Sequence, residues 1–205
     1  MTRLYLMRHG QTLFNTLNRI QGWCDSPLTE KGRDQARQVR AYFEKHDMTF
    51  DQYYCTTTER ASDTIELATG RTDYQRVKGL KEMHFGIFEG LTYKELKGKY
   101  PQELEQWNKE FSTYRIPEGE SFLDVRRRVE AFLKDIPSGE ENKSEKMLIT
   151  AHKGTLGHLL AAMLKLPPEG YWNFVFDQGC YSEVDLEDGY AIIRKLNVRD
   201  IPIDI

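Results

Sequence analysis

Cysteine is scarce in this chain of 205 residues, and the cysteines present form no pairing pattern. Cys24, Cys55 and Cys180 are odd in number and include no C-x-x-C pair, which argues against a disulfide framework and a thiolate zinc site. Long apolar runs are also lacking, since no stretch approaches the roughly 18 residues that span a bilayer. The run at 4–7 is too short for a signal-peptide core. These absences predict a reduced, cytoplasmic protein without a membrane partner.

The chain also lacks an excess of charge of either sign. Its 29 basic and 32 acidic residues give a formal net charge of −3. A general nucleic-acid binder is normally basic, so we expect no nucleic-acid partner. The one basic run, Arg126-Arg127-Arg128, falls on a predicted amphipathic helix and is typical of a solvated helix face.

Short apolar runs alternate with helix-start signals along the chain. Strands are predicted at 3–7, 52–55, 75–78, 146–151, 180–186 and 190–196, and helices at 30–45, 59–67, 93–111, 122–136 and 153–166. This order predicts an α/β fold, a three-layer sandwich with a mostly parallel central sheet and an antiparallel edge. We expect one domain over 1–205, with 83–120 as an inserted helical lobe over the site and 138–144 as a polar connection.

Positively charged and imidazole side chains follow three of the predicted strands. Arg8 and His9 follow the first, Arg60 comes shortly after the second, and His152 follows the strand at 146–151. Ligands of open α/β sheets bind outside the carboxyl ends of the strands. Two guanidinium groups beside two imidazoles suit a tetrahedral dianion, because each arginine can bind two oxygens at once. A single carboxylate, Glu82, precedes the aromatic lobe.

Together these motifs resemble the histidine phosphatase superfamily, also called the phosphoglycerate mutase family, over nearly the whole chain. The matching residues, in chain order, are Arg8-His9-Gly10; Thr12, Asn15, Gln21-Gly22 and Asp25-Ser26-Pro27-Leu28-Thr29-Glu30-Lys31-Gly32; Arg60-Ala61 with Thr64; Leu80, Glu82, Gly86, Glu89 and Gly90; Gly119-Glu120-Ser121; and His152.

The resemblance implies the catalytic roles. His9 would be the nucleophile that takes the phosphoryl group onto a ring nitrogen. Arg8, Arg60 and His152 would stabilise charge on the phosphoryl oxygens. Glu82 would protonate the leaving oxygen and then activate a water molecule.

The resemblance also implies how substrate is bound. Asn15, Gln21 and Gly22 would bind phosphate or substrate from the loop, beside Arg8, Arg60 and His152. The expected substrate is a small phosphomonoester, hydrolysed without metal or cofactor. Its alcohol part would be apolar or aromatic, because the lobe is rich in aromatic residues.

Two motifs depart from the family pattern. Residues 56–58 are three threonines where the family usually has a serine, a proline and a leucine before the second arginine. Lys153 follows His152 where the family usually has glycine. Neither change removes a catalytic group, and Lys153 adds a cation near the pocket.

The same residues could serve three other functions. A metal enzyme would use His9, His84, His152 and Glu82 as ligands, but no H-E-x-x-H pattern supports it. A non-catalytic phosphate-binding module would be favoured only if His9 or Glu82 were missing.

The third alternative is the cofactor-dependent phosphoglycerate mutase. The glycolytic mutases of the family carry a tyrosine after the acid and a pair of arginines after the lobe tryptophan. Here Phe85 replaces that tyrosine, and Asn108-Lys109 follow Trp107. The sequence therefore favours a phosphatase.

Overall fold

One twisted sheet forms the centre of the protein. The computed structural model describes residues 1–136 and 145–199, and within them six strands pair in the order β3-β2-β4-β1-β5-β6. The strands are β1 Thr2–Arg8, β2 Gln52–Cys55, β3 Gln75–Arg76, β4 Glu145–Ala151, β5 Tyr181–Glu187 and β6 Tyr190–Val198. Strands β1 to β4 pair in parallel, and β5 and β6 add an antiparallel edge. The predicted mostly parallel sheet is confirmed.

Strand β1 lies between β4 and β5 because both of its faces are apolar. Leu4 and Leu6 are fully buried in the core on one face of the sheet. Tyr5 and Met7 are buried in a second cluster on the other face. A strand with apolar residues on both faces is most stable in the middle of a three-layer structure, where both of its faces are covered.

Helices cover both faces of the sheet. They are α1 Leu13–Thr16, α2 Glu30–Lys45, α3 Glu59–Thr69, α4 Tyr93–Lys99, α5 Pro101–Lys109, α6 Phe122–Asp135 and α7 Lys153–Met163. Helices α2 and α3 bury Val39, Phe43 and Ile65 in the cluster that contains Tyr5. Helices α6 and α7 pack on the opposite face in the larger cluster. The predicted three-layer sandwich is confirmed.

Residues 83–120, the range of the predicted lobe, contain two short helices. A 3₁₀ turn at Gly86–Phe88 leads into α4 and α5. Leu96, Leu104 and Ile116 are buried in the same core cluster as the apolar faces of α6 and α7. The lobe therefore shares the main core and has none of its own.

Several predicted boundaries were wrong. The helical stretch at 93–111 was expected to break at Gly98 and at Pro101; it breaks only before Pro101, at Tyr100, whose helical conformation the proline disfavours, and Gly98 lies inside α4. Helix α7 ends at Met163 rather than at 166, and Lys165 has a φ of 57°. The third strand has only two residues. The connection expected at 138–144 lies outside the described residues.

No helix in the described ranges is both long and apolar enough to cross a bilayer.

Candidate active site

The strand register brings the predicted site residues together. Arg8, the last residue of β1, pairs with Ala151 at the end of β4, and the His9 amide donates to the Ala151 carbonyl at 3.2 Å. His152 therefore lies beside His9, with ring centroids 5.1 Å apart. Arg60 enters the same space from the first turn of α3. With Glu82, these residues line one cavity of about 290 Å³.

The His9 ring is fixed in one orientation. It is 4% exposed, and its Nδ1 lies 2.8 Å from the Gly10 carbonyl oxygen. A carbonyl only accepts, so Nδ1 carries the proton and Nε2 keeps its lone pair. Burial, and then the charges of Arg60 and Arg8, hold the pKa of His9 well below its ordinary value. The neutral ring can therefore act as a base or as a nucleophile through Nε2.

The Arg60 guanidinium is held by the loop that follows α1. Its Nη1 donates to Asp25 Oδ1 at 2.8 Å and to the Cys24 carbonyl at 3.0 Å, and its Nη2 donates to the Gly22 carbonyl at 2.8 Å. The side chain is 1% exposed. Its buried Nε has no partner among the described residues, so it is available for an anion.

Arg8 and His152 also have unpartnered nitrogen atoms. Arg8 donates from Nη1 to the Phe176 carbonyl at 2.7 Å, while its Nε is buried without a partner in the described structure. His152 Nε2 lies 3.4 Å from Thr58 Oγ1, and its Nδ1 is likewise unpartnered. Burial is the main cause that lowers the pKa of both side chains. Buried donors without partners are costly, so their presence around one cavity points to an anionic ligand.

The Glu82 carboxylate is held at the N-terminus of α7. Its oxygens accept from the amides of Gly154 at 3.1 Å, Thr155 at 3.2 Å and Met83 at 3.1 Å. A Cβ at position 154 would lie 2.6 Å from Oε1, so a larger residue there would displace the Glu82 carboxylate from the helix N-terminus. Lys153 occupies the first helical position, is exposed and lines the cavity.

The three loop residues predicted to bind phosphate also line the cavity. Asn15 caps α1 through the Thr12 amide at 3.0 Å and donates from Nδ2 to Gln21 Oε1 at 3.4 Å. Gln21 Nε2 is buried with no partner in the described chain. Gly22 has a φ of 59° and directs its carbonyl to Arg60. Among the three, Gln21 is thus the residue whose side-chain donor has no partner in the described chain.

The expected solvated face at 126–128 was wrong for Arg128. Its Nη1 donates to the carbonyls of Gly79 at 2.8 Å and Lys81 at 2.5 Å, and its Nη2 donates to that of Glu82 at 2.9 Å. An ion pair with Glu120 at 3.0 Å completes the set. Arg128 thereby fixes the segment that carries the site carboxylate. A helical pattern indicates which face is polar, but it does not reveal the carbonyls that this face meets.

Sequence reasoning also missed one side of the cavity. After the double proline at 167–168, a 3₁₀ turn and the following residues place Tyr171, Trp172 and Phe174 against it. His158 from α7 and Phe122 from α6 line it too. The only sequence signal was the aromatic run at 171–174.

The residues of the metal alternative do not form a ligand set. The His84 ring packs on Trp23 with centroids 4.5 Å apart, and its Nε2 lies 3.9 Å from Glu89. Across residues 1–136 and 145–199, no group of three His, Cys, Asp or Glu side chains could hold a metal ion.

Comparison with known proteins agrees with this geometry. The adenosylcobalamin/alpha-ribazole phosphatase of Escherichia coli K12 is 31% identical over 204 residues, 98% of each chain. The 2,3-bisphosphoglycerate-dependent phosphoglycerate mutase 2 of Gloeobacter violaceus is 34% identical over 82% of this chain and 78% of its own. The crystal structure of the alpha-ribazole phosphatase from Shigella flexneri has a TM-score of 0.88 at 31% identity, and the match covers 99% of this chain and 100% of that one.

The sequence model of the histidine phosphatase superfamily (branch 1) matches residues 4–199. Because that match spans nearly the whole chain, the protein belongs to the histidine phosphatase superfamily.

Proposed function

We propose that the protein hydrolyses a small phosphorylated metabolite, a phosphomonoester, through a phosphohistidine on His9. The observation that carries this proposal is the state of the His9 ring, which is buried, is neutral and holds its proton on Nδ1. Around it lie Arg8, Arg60 and His152, each with a buried nitrogen that has no partner in the described residues. This arrangement suits an incoming phosphoryl group.

In the first step, His9 Nε2 attacks phosphorus. The N–P bond forms as the bond from phosphorus to the ester oxygen breaks, and a protonated Glu82 gives its proton to that oxygen. Arg8, Arg60 and His152 stabilise the charge on the remaining oxygens.

In the second step, water replaces the histidine. Glu82, now a carboxylate, takes a proton from a water molecule, whose oxygen bonds to phosphorus as the N–P bond breaks. Inorganic phosphate leaves, and both side chains return to their starting states. We assign no metal or cofactor to either step, because the two arginines supply positive charge.

Two regions share the binding of substrate: the loop after β1, which binds the phosphate, and the lobe at 83–120, which binds the alcohol part. We propose that Asn15, Gln21 and Gly22 bind phosphate or its immediate neighbours. We also propose that residues 83–120 act as a lobe inserted into a single domain over 1–205 and select the alcohol part, since Phe85 and Trp107 line the cavity. The free cysteines Cys24, Cys55 and Cys180 support action in the reducing cytoplasm.

Phosphoglycerate mutase is the second candidate, because two of the relatives bear that name. A mutase must hold the carboxylate of its substrate while the phosphorylated intermediate re-orients in the site. The residues after the lobe tryptophan, Asn108 and Lys109, are exposed and do not line the cavity. This arrangement supports the hydrolase.

The decisive experiment supplies candidate substrates and measures both products. Alpha-ribazole phosphate, phosphoserine and butyl phosphate are assayed for released phosphate. In parallel, 3-phosphoglycerate with a trace of 2,3-bisphosphoglycerate is assayed for 2-phosphoglycerate and free phosphate. We expect phosphate release from at least one ester and little 2-phosphoglycerate. Rapid 2-phosphoglycerate formation with little free phosphate would establish the mutase instead.

A further inference from the structure

Both arginines of the active site donate to the carbonyl of a peptide group. Arg60 Nη2 donates to the Gly22 carbonyl at 2.8 Å, and Arg8 Nη1 donates to the Phe176 carbonyl at 2.7 Å. A guanidinium group is planar and carries its five N–H donors in a fixed fork. A contact that fixes one donor therefore helps to fix the direction of the donors that remain for a phosphoryl group. The orientation of these two peptide groups thus bears on the chemistry.

A carboxylate holds the first peptide group from its opposite side. The Trp23 amide, which belongs to the same peptide group as the Gly22 carbonyl, donates to Glu89 Oε1 at 2.7 Å. In a planar trans peptide the carbonyl and the amide point in opposite directions. The peptide group therefore lies between the Arg60 guanidinium and the Glu89 carboxylate, and it cannot rotate without breaking both hydrogen bonds.

The Glu89 carboxylate is built into this segment by further contacts. Its side chain is 13% exposed, and it also accepts from the amides of Cys24 at 2.7 Å and Phe85 at 3.0 Å. A Cβ at position 22 would collide with Glu89 Oε1, so the glycine there lets the carboxylate reach the backbone. Negative charge on the amide side of a peptide polarises the group and strengthens the hydrogen bond that its carbonyl accepts. The charge of Glu89 therefore supports the contact with Arg60.

A side chain near the end of β6 holds the second peptide group in the same way. The Asp177 amide, in the same peptide group as the Phe176 carbonyl, donates to Asn197 Oδ1 at 2.8 Å. Asn197 Nδ2 donates to the Val175 carbonyl at 2.8 Å, so both polar atoms of the side chain bind this segment. The peptide group thus lies between Asn197 and the Arg8 guanidinium.

We infer that Glu89 and Asn197 are positioning residues, each of which orients one arginine through a peptide group: Glu89 orients Arg60, and Asn197 orients Arg8. Neither positioning residue is among the described residues that line the cavity, so neither acts by touching the substrate. The inference rests on the proposed function and adds to it the means by which the two arginines are directed at the phosphoryl group. Because separate segments hold the two arginines, the two effects are separable.

Double-mutant cycles test the two pairings. Glu89→Gln keeps the shape of the side chain but removes its charge and one acceptor oxygen. Asn197→Gly removes both hydrogen bonds of the side chain, and glycine tolerates the φ of 51° at this position. Arg60→Lys and Arg8→Lys keep the positive charge but lose the planar fork. Each of the first two changes is made alone and beside each of the lysine variants.

Two quantities are measured for every variant: kcat/KM for p-nitrophenyl phosphate, and the Kd of inorganic phosphate by isothermal titration calorimetry. We expect Glu89→Gln alone to lower kcat/KM and to weaken phosphate binding about tenfold. Beside Arg60→Lys its effect should shrink to less than about twofold, because the group it orients is gone, and beside Arg8→Lys it should be undiminished. The loss in Asn197→Gly, about threefold, should vanish beside Arg8→Lys and persist beside Arg60→Lys.

A control far from the cavity and the melting temperature separate positioning from folding. Asp51 Oδ2 accepts from the Lys146 amide at 2.8 Å, beside the amino ends of β2 and β4. Asp51→Asn makes the same carboxylate-to-amide change as Glu89→Gln and should alter neither quantity. If Glu89→Gln does not fold, Glu89→Asp takes its place, since it keeps the charge and withdraws it by one carbon.

Each pairing is decided by its own cycle. Losses of equal size in every background would overturn the inference, because a general loosening of the fold does not distinguish Arg60 from Arg8. Wild-type values in Glu89→Gln and in Asn197→Gly would also overturn it. If the wild-type protein binds phosphate but hydrolyses no phosphomonoester, the proposed function fails, and the cycles measured on phosphate binding still decide the inference.

Discussion

The two ends of the cavity are built by different means. At the phosphate end, Arg8, His9 and His152 lie at the ends of adjacent strands, and hydrogen bonds from backbone and loop hold the surrounding charged groups. At the other end, four segments supply the rings of Trp107, Phe122, His158, Tyr171 and Trp172, here called the ring subsite, which pack mainly by stacking. The first arrangement fixes atoms for chemistry. The second arrangement presents ring faces to the substrate. Substitutions there can therefore change which alcohol part is preferred without disturbing the reaction.

The largest effect should come from removing the nucleophile at the phosphate end. We expect His9→Ala to lose on the order of a thousandfold or more in kcat, because His9 Nε2 is the proposed point of attack on phosphorus. Acid-labile phosphate on the wild-type protein during turnover, measured after rapid quenching, should disappear in the variant. Retention of a substantial part of the wild-type rate would contradict the phosphohistidine. His46→Ala, which changes an exposed histidine, is the control.

A second effect at the same end should depend on the leaving group. Glu82→Gln removes the proton donor but keeps an amide oxygen that can accept from the Gly154 amide. We expect kcat/KM to fall about 10²- to 10⁴-fold for butyl phosphate and much less for p-nitrophenyl phosphate, whose leaving oxygen needs little protonation. Equal losses for both esters would remove Glu82 from the role of general acid. Glu105→Gln changes an exposed carboxylate on α5 and should alter neither rate.

A smaller effect should follow from loosening the segment that carries Glu82. Arg128→Met removes one donor from each of the carbonyls of Gly79, Lys81 and Glu82, although Thr155 Oγ1 still donates to Lys81 and Trp23 Nε1 still donates to Glu82. Hydrogen bonds to a charged group contribute about 1.5–3 kcal/mol each, so we expect a lower melting temperature. We also expect kcat to fall about tenfold while KM changes less, because Glu82 is misplaced rather than lost.

The neighbouring arginine provides a matched control for that variant. Arg127 has a side chain that is 74% exposed, and Arg127→Met should change neither melting temperature nor kcat appreciably. If the two variants behave alike, the hydrogen bonds of Arg128 do not position Glu82.

The smallest effect, and one of opposite sign, is expected at the ring subsite. His158→Phe replaces a ring with two unpartnered nitrogens by an apolar ring of similar shape. An unsatisfied buried polar group costs about 1–3 kcal/mol, so the variant should be more stable, with a melting temperature higher by about 2–4 °C per kcal/mol gained. Differential scanning calorimetry measures this. A lower melting temperature would mean that the histidine is already satisfied within the protein and is not held for a ligand.

The phosphate end could be predicted because its signals are local. Arg8-His9-Gly10 directly follows an apolar strand, and His152 directly follows another, so a parallel sheet is enough to bring them together. The ring subsite and Arg128 gave no such signal. In any α/β chain, the sequence pattern places an aromatic residue in the core. It likewise predicts that an arginine on a polar helix face is solvated until its neighbours are known.

The amino-acid sequence by itself determined the alternation of strands and helices, the central place of β1 and the residues that meet at the strand ends. These follow from apolar periodicity and from residues adjacent in the chain, which act through short-range forces. Only the tertiary structure decided that His9 holds its proton on Nδ1, that α7 binds the Glu82 carboxylate and that Arg128 supports Glu82. It also decided that His158 stacks on Tyr171 and has no hydrogen-bond partner among the described residues. Each of these depends on packing between segments far apart in the chain. There, burial and distance, rather than residue type, set the interaction energies.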